Sequence, residues 1–143
     1  MKNDLRILVV NEDCYEWGMK ELYKPRLSEM AERVERTISG EEVVRRINPL
    51  DYNVALIDAS DNCIHKIEQI GSSESHSYYS LTDFLRSRNP DMIIIGTSIL
   101  GEKFRKDELS EREYDEKISI GDIKEFPEQV KEILIKYGFE FKK

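Results

Sequence analysis

The sequence predicts an α/β fold, a three-layer αβα sandwich with a five-stranded, mainly parallel sheet. Short continuous runs of aliphatic residues, without regular polar alternation, indicate strands that are buried on both faces. Between these runs, apolar residues recur at three- and four-residue intervals, which indicates helices packed on the sheet. The two patterns alternate along the chain. They predict the order βαβαβαβαβα, with right-handed crossovers and helices on both faces of the sheet.

Length and composition limit the classes of function. The chain has 143 residues, which predicts one domain, 1–143, that can bury a core without disulfides. Its 29 acidic and 22 basic residues give a net charge of −7, which argues against a nucleic-acid-binding protein. Only two cysteines occur, and no apolar run has the length of a signal peptide or membrane span. We expect a cytoplasmic protein with no membrane partner.

The first third of the chain predicts a strand, a helix and a second strand. An aliphatic run predicts the first strand over about 5–11, and a helical stripe of apolar residues extends from Trp17 to Val34. Pro25 lies inside this stripe and disfavours helical geometry before it, so we expect a kink or two short helices. Alternation from Val34 to Ile38 predicts a short second strand.

The centre of the chain begins with a capping box. Ser39 and Glu42 have the spacing of this motif and predict a helix that ends at Asn48-Pro49. The third strand follows over 53–58. Beyond it, the isoleucines between Ile64 and Ile70 are spaced by three and predict a short helix, although a hairpin strand over the same residues is an alternative.

The rest of the chain predicts two further strands, each with a helix beside it. A polar loop over 72–77 precedes a helix that Ser80 caps, and a fourth strand follows Asn89-Pro90. The highly charged segment 102–117 predicts a solvated helix or loop without a site. The last predictions are a fifth strand over 118–121 and a helix over 126–137, with Pro127 in its first turn and Gly138 after it.

Three aliphatic runs end at residues that can do chemistry. The first run is followed by Glu12 and Asp13, the third strand ends at Asp58, and the fourth run leads to Thr97. In an open parallel sheet the carboxyl ends of the strands share one edge, where ligands bind. We predict that Glu12, Asp13 and Asp58 hold Mg²⁺ there, that Asp58 accepts a phosphoryl group, and that Thr97 and Lys124 contact its oxygens.

At these residues the chain resembles the receiver domains of two-component response regulators, which have a flavodoxin-like fold. The matching stretches are ILVVNED at 7–13, SGEEVV at 39–44, YNVALID at 52–58, IIGTS at 94–98 and KEFPE at 124–128. The resemblance implies a phosphorelay in which a histidine kinase or other signalling protein is the partner and Asp58 becomes phosphorylated. It also implies output through protein–protein contacts, here from a stand-alone domain.

The chain departs from this family's pattern at several positions. Asn11 stands where the first of the paired acids is usual, and Ala59 to Asn62 replace the usual methionine-proline turn and glycine. The segment 59–78 is longer than usual, so we expect an insertion there. Glu125 replaces the proline that commonly follows the lysine, and Lys117 is a second candidate for the role of Lys124.

Other interpretations stay open at this stage. The chain also resembles cobalamin-binding Rossmann-like domains, and more faintly the iron–molybdenum-cofactor accessory proteins, so a small-ligand module without phosphorelay activity is the alternative. In that case Gly96 to Ser98 would approach a ligand, although the cobalt-binding Asp-x-His-x-x-Gly pattern is absent. Taken singly, Asp13 and Asp58 have the positions of helix caps. The scattered cysteines and histidines lack the spacing of a zinc site.

Overall fold

The computed structural model describes residues 4–10, 24–37, 39–58, 66–68, 78–99, 114–120 and 125–141. The strands in these ranges are β1 (Arg6–Val10), β2 (Arg33–Thr37), β3 (Val54–Asp58), β4 (Lys66–Glu68), β5 (Tyr78–Ser80), β6 (Ile93–Ile99) and β7 (Glu116–Ile120). The helices are α1 (Lys24–Met30), α2 (Gly40–Arg46), α3 (Leu81–Arg88) and α4 (Phe126–Lys136), with a 3-10 turn over Pro49–Asp51.

Five strands form one sheet in the order β2-β1-β3-β6-β7. Every neighbouring pair in this sheet is parallel. The predicted five-stranded parallel sheet is therefore confirmed. The strand order reverses direction between β1 and β3, and in sheets of this kind the ligand crevice lies at that point, outside the carboxyl ends of the strands.

Successive residues of the strands belong to two separate cores, one on each face of the sheet. The core against α1 and α4 contains Leu5, Ile7, Val9, Leu27, Val54, Leu56, Ile93, Ile95, Ile118, Phe126, Val130, Leu134 and Phe139. The core against α2 and α3 contains Leu8, Val10, Val43, Ile47, Tyr52, Ala55, Ile57, Leu81, Phe84, Leu85, Met92, Ile94 and Tyr114. Two cores separated by one sheet confirm the three-layer αβα sandwich.

The predicted cap at the start of α2 forms through Ser39. The Ser39 side chain accepts a hydrogen bond from the Glu42 amide at 3.1 Å. Glu42 also accepts from Arg46, one turn later, with 2.6 Å between Oε1 and Nη1. Asn48 then caps the 3-10 turn by accepting from the Leu50 amide at 3.1 Å. These local bonds direct the chain from α2 into β3.

The structure corrects the predicted helix over 64–70. Residues 66–68 are a strand, β4, that pairs antiparallel with β5 and forms a two-stranded ribbon separate from the main sheet. The hairpin alternative is therefore correct for these residues. Isoleucine at every third position fits either structure, and the backbone hydrogen bonds to β5 favour the strand. The ribbon also replaces the simple alternation of strands and helices predicted for the whole chain.

The end of α1 and the start of β7 differ from the prediction. Helix α1 ends at Met30, so Val34 belongs to β2 and not to the helical stripe. Strand β7 begins at Glu116, two residues before the predicted start, because Glu116 pairs with Ile95 of β6. Its carboxylate also accepts from the Lys136 ammonium at 2.5 Å, which ties this end of the strand to α4.

Some predictions concern residues outside the described ranges. They are the helix before Lys24, the polar loop over 72–77 and the charged segment as far as residue 113. The kink was predicted at Lys24, which is the first residue of α1, with Pro25 in its first turn. Strand β4 and the first residue of β5, Tyr78, lie inside the predicted insertion, 59–78, whose remaining residues are also outside these ranges. Among the described helices, none combines the length and the apolar character that crossing a bilayer requires.

A buried phenol links β2 to the turn before β3. Tyr52 is 1% exposed, and its hydroxyl donates to Glu35 Oε2. Glu35 also pairs with Arg33 at 3.4 Å and with Arg46 at 3.7 Å. Burial, followed by the hydrogen bond to Glu35, raises the pKa of Tyr52 well above its usual value.

We expect Tyr52→Phe to lower the free energy of unfolding by about 1 kcal/mol at neutral pH, because it removes this hydrogen bond. The folded state favours the neutral phenol, so this stabilisation is complete below about pH 10 and is lost as the pH rises towards the folded pKa, by up to about 1.4 kcal/mol per pH unit. Urea unfolding of both proteins at about pH 8 and about pH 11 measures the difference. If the difference in stability between the two proteins did not change with pH, the raised pKa of Tyr52 would be contradicted, since the other titrating groups are common to both proteins.

Candidate functional site

The carboxyl ends of the parallel strands form one edge of the sheet. Asp58 is the last residue of β3, the central strand, and it is only 5% exposed. Val10, the last residue of β1, pairs with Ile57, the residue before Asp58, so the ends of β1 and β3 lie side by side. This placement agrees with the expected site at the point where the strand order reverses.

Thr97 lies next to Asp58 on the neighbouring strand. The two residues are register partners in the pairing of β3 with β6. The Thr97 hydroxyl donates to the carbonyl oxygen of Ile57 at 3.3 Å, and the residue is half-buried. A buried carboxylate at the end of β3 and a hydroxyl on β6 are thus neighbours across the sheet. A hydroxyl in this position can donate a hydrogen bond to an oxygen of a group carried by Asp58.

The backbone immediately before Thr97 is packed against an aromatic ring. A Cβ atom added to Gly96 would lie 2.8 to 2.9 Å from three ring atoms of Tyr114. Real Cβ atoms do not approach so closely, so this position requires glycine while the ring stays in place. Tyr114 is itself buried, and its ring fills the space that a side chain at 96 would occupy.

Asp115 holds Tyr114 in this position by binding β6 at two points. Its amide donates to the Ile94 carbonyl at 2.7 Å, and its carboxylate accepts from the Ile94 amide, also at 2.7 Å. The other carboxylate oxygen lies 3.2 Å from the Arg86 guanidinium of α3. The entry to β7 is therefore fixed to both β6 and α3.

Of the predicted site residues, the structure brings Asp58 and Thr97 together. Glu12, Asp13 and Lys124 lie outside the described residues, so their roles stay predictions. Lys117, the alternative to Lys124, is exposed on β7 and pairs with Gly96. The sequence interpretation missed Tyr114 and Asp115, because both belong to the charged segment that was predicted to be solvated.

Of the three predicted metal ligands, Asp58 alone is among the described residues. Within the described ranges, no three histidine, cysteine, aspartate or glutamate residues form a group able to hold a metal ion. The predicted donors, Glu12, Asp13 and Asp58, are all carboxylates, and oxygen ligands of this kind suit Mg²⁺. The chemistry of the donor set therefore fits Mg²⁺.

Comparisons with known proteins identify the fold. No protein-family model and no curated protein matches the sequence. Among solved structures, the inactive regulatory domain of the repressor of iron transport regulator RitR aligns with a TM-score of 0.62 at 16% identity, covering 95% of this chain and 99% of that chain. The BeF3-activated receiver domain of DrrB aligns with a TM-score of 0.57 at 16% identity, covering 92% and 98%.

The chain has a receiver-domain fold. A third structure, the histidine kinase ThkA in complex with the response regulator protein TrrA, matches with a TM-score of 0.55 at 20% identity, covering 91% of this chain and 98% of the matched chain. The alignment to DrrB from Thermotoga maritima, an OmpR/PhoB homologue, covers 54% of that longer chain. These neighbours establish the receiver-domain fold, and they do not favour the cobalamin or iron–molybdenum alternative.

Proposed function

We propose that this chain is a receiver-like signalling domain in which Asp58 accepts a phosphoryl group. The observation that supports this most directly is the position of Asp58, a buried carboxylate at the end of the central strand with Thr97 as its register partner. The receiver-domain fold supports the same proposal. Signal output in this proposal occurs through protein–protein contacts.

The proposed partner is a histidine kinase. The structure of TrrA in complex with the kinase ThkA is among the structural neighbours and supports this class of partner. In the transfer step, a carboxylate oxygen of Asp58 attacks phosphorus, and the bond between phosphorus and the histidine nitrogen of the donor breaks. The departing imidazole takes up a proton and becomes neutral. The Asp58 carboxylate is converted into an acyl phosphate.

The roles proposed for the other site residues follow from charge. Glu12, Asp13 and Asp58 would hold Mg²⁺, which neutralises the negative charge that gathers on the phosphoryl oxygens. Lys124 would pair with one of those oxygens as a point charge. Thr97 donates a hydrogen bond to another, by turning its hydroxyl away from the Ile57 carbonyl. The low exposure of Asp58 strengthens each of these interactions, because less water screens them.

Intact-mass spectrometry after incubation with acetyl phosphate and MgCl₂ tests the proposal. We expect wild type to gain the mass of one phosphoryl group and Asp58→Asn to gain none. Asp91→Asn is the matched control, because Asp91 is exposed in the turn before β6, at the other end of the strands. This variant is expected to be phosphorylated like wild type. Excess EDTA is expected to prevent the reaction.

Two outcomes of this experiment would contradict phosphorylation of Asp58. Wild type that gains no mass at any Mg²⁺ concentration would refute phosphorylation of Asp58. Equal mass gain in wild type and Asp58→Asn would place the modification elsewhere. Absorbance of the protein purified without added ligand tests the cofactor alternative in the same preparation, since cobalamin is coloured.

We expect Thr97→Val to slow phosphorylation by about tenfold, because a hydrogen bond to a charged group contributes roughly 1.5 kcal/mol. Valine has nearly the shape of threonine, and Thr97 is only half-buried, so the fold should be kept. The initial rate of mass gain measures the effect. Thr97→Ser restores a hydroxyl and is expected to recover most of the rate. A Ser variant as slow as the Val variant would show that the hydroxyl is not responsible.

A further inference from the structure

Strand β2 forms one edge of the main sheet. Its inner side pairs with β1 over residues 33–37, and among the described strands of this sheet it is the outermost on that side. The edge of a sheet presents backbone amides and carbonyls that can pair with a strand of another chain. Charged side chains on an edge strand oppose pairing with most strands, so the order of the charges along β2 determines which partner strand it accepts.

The backbone groups of Val34 point to the outer side of β2. On β1, the carbonyls of Leu5 and Val9 accept hydrogen bonds from residues of the β2 segment, at 2.8 and 3.4 Å, so both carbonyls face β2. Ile7 lies between them and faces the same way by alternation. In a parallel pair, the register partner of a residue that faces the neighbouring strand directs its own amide and carbonyl away. Val34 is the register partner of Ile7, so its amide and carbonyl face outwards.

The charges on the two sides of Val34 are complementary to each other. Residues 32–36 read Glu-Arg-Val-Glu-Arg. When two copies of this segment run antiparallel with Val34 opposite Val34, Glu32 lies opposite Arg36, and Arg33 lies opposite Glu35. Two-fold symmetry repeats both pairs, so every charge in the segment faces an opposite charge. The segment is therefore complementary to a second copy of itself.

Within 32–36, this register alone avoids like charges in a symmetric pair. Opposite residues must point to the same face of the joined sheet, so the two-fold axis passes through a residue position, and that residue faces its own copy. An axis at Glu32 or Glu35 would place two carboxylates opposite each other. An axis at Arg33 or Arg36 would do the same with two guanidinium groups, and like charges directly opposite are destabilising. The order of the charges thus favours Val34 on the axis.

The segment is accessible, and its charges cancel. The Arg33 side chain is 54% exposed, the Glu35 side chain is 27% exposed, and Glu32 is exposed. The whole chain has a net charge of −7, whereas residues 32–36 contain two acidic and two basic residues. Two copies of this acidic protein therefore repel each other less at this edge than at an average part of their surface.

We propose that β2 is a self-association surface, at which a second copy of this chain pairs antiparallel with Val34 opposite Val34. The main sheets of the two copies then form one continuous sheet. The Val34 amide of each copy donates to the Val34 carbonyl of the other. Each copy contributes one short strand, so we expect a dimer that forms and dissociates with protein concentration. The proposal does not depend on phosphorylation of Asp58.

Sedimentation equilibrium of the full chain over a range of protein concentrations tests the proposal. We expect a monomer–dimer equilibrium for wild type. Arg36→Glu places two glutamates opposite each other at both ends of the pairing, and is expected to lower the association constant by about tenfold or more. Combining Glu32→Arg with Arg36→Glu exchanges the charges and is expected to restore association. Arg88→Glu is the matched control, because it changes the net charge equally at an exposed position on α3.

Several outcomes of the sedimentation experiment would overturn the proposal. One is wild type that stays monomeric at every concentration. Another is Arg36→Glu that associates as tightly as Arg88→Glu, which would place the interface on another surface. A third is an exchange variant that associates as weakly as Arg36→Glu alone, since the pairing of position 32 with position 36 would then be wrong. Circular dichroism confirms that each variant is folded.

Disulfide crosslinking tests the register and leaves the charges of wild type in place at Glu32 and Arg36. Cys14 and Cys63 are first replaced by serine. Val34→Cys is then expected to form an intermolecular disulfide under mild oxidation, because the Cα atoms of a hydrogen-bonded antiparallel pair lie about 5.5 Å apart, within the range of a disulfide.

Arg36→Cys in the same background is the matched control for the register. Its two cysteines would lie four residues apart along the paired strands, a separation of about 14 Å that no disulfide spans. Intact mass without reductant measures the dimer in both variants. No crosslink at position 34, or an equal yield at position 36, would overturn the proposed pairing.

Discussion

Replacing Leu85 with alanine is expected to lower the free energy of unfolding by about 2–5 kcal/mol. Leu85 lies on α3, has no exposed surface, and belongs to the core between the sheet and α2 and α3. The shorter side chain leaves a cavity that the sheet and helix only partly close. Because domains of this size are stable by only about 5–15 kcal/mol, the loss is a large fraction of the total.

Urea denaturation followed by circular dichroism measures this loss as a lower midpoint with an unchanged slope. Leu50 provides the matched control, since it is 62% exposed on the 3-10 turn. Leu50→Ala is expected to change stability by less than about 0.5 kcal/mol. Similar losses in the two variants would mean that the core does not lie where the structure places it.

The sheet was predictable because burial on both faces leaves a local pattern. Every residue from Val54 to Asp58 is buried, and the sequence shows this as an uninterrupted aliphatic run that ends in an acid. Strand β6 has a similar run from Ile93 to Ile95, which is buried too. Helix α2 carries its start signal in Ser39 and Glu42, which form the predicted cap. Each of these patterns involves residues close together in the chain.

The ribbon was not fixed by a local pattern. Ile67 lies in a segment whose isoleucine spacing fits one face of a helix, and its strand partner Tyr79 is twelve positions away. Periodicity describes only the segment itself, whereas backbone pairing with a distant segment and contact with α2 decide its structure. Non-local contacts of this kind are where sequence patterns lose their predictive value.

In the candidate site too, the sequence predicted the residues that a local pattern marks and missed a contact that depends on packing. Asp58 and Thr97 each end or follow an aliphatic run, so the rule for parallel strand ends was enough to place them on one edge. The contact of Tyr114 with Gly96 depends on packing between β6 and the entry to β7, and the charges around Tyr114 hid it. An aromatic residue two positions before the start of β7 was the local signal available in the sequence. The roles of Glu12, Asp13 and Lys124 stay predictions.

Gly96→Val is expected to lower the free energy of unfolding by about 3 kcal/mol, at the upper end of the usual cost of overpacking. The new Cβ atom alone would lie within 3 Å of the Tyr114 ring, and valine adds two methyl groups. The Tyr114 ring is buried, and Asp115 fixes the adjacent backbone to Ile94, so the ring cannot move freely. Gly138→Val is an informative comparison, because nothing lies within 4 Å there and only its positive φ of 98° opposes a side chain.

A double-mutant cycle with Tyr114→Ala separates the steric clash from other effects of valine in β6. If the ring causes the loss, Gly96→Val should cost much less in the Tyr114→Ala background, because the truncated side chain leaves room. Additive losses would show that the ring is not the obstacle. The same variants bear on the site: Thr97 follows Gly96, so a displaced β6 should also slow phosphorylation of Asp58, whereas a purely global loss of stability should leave the rate of the folded fraction unchanged.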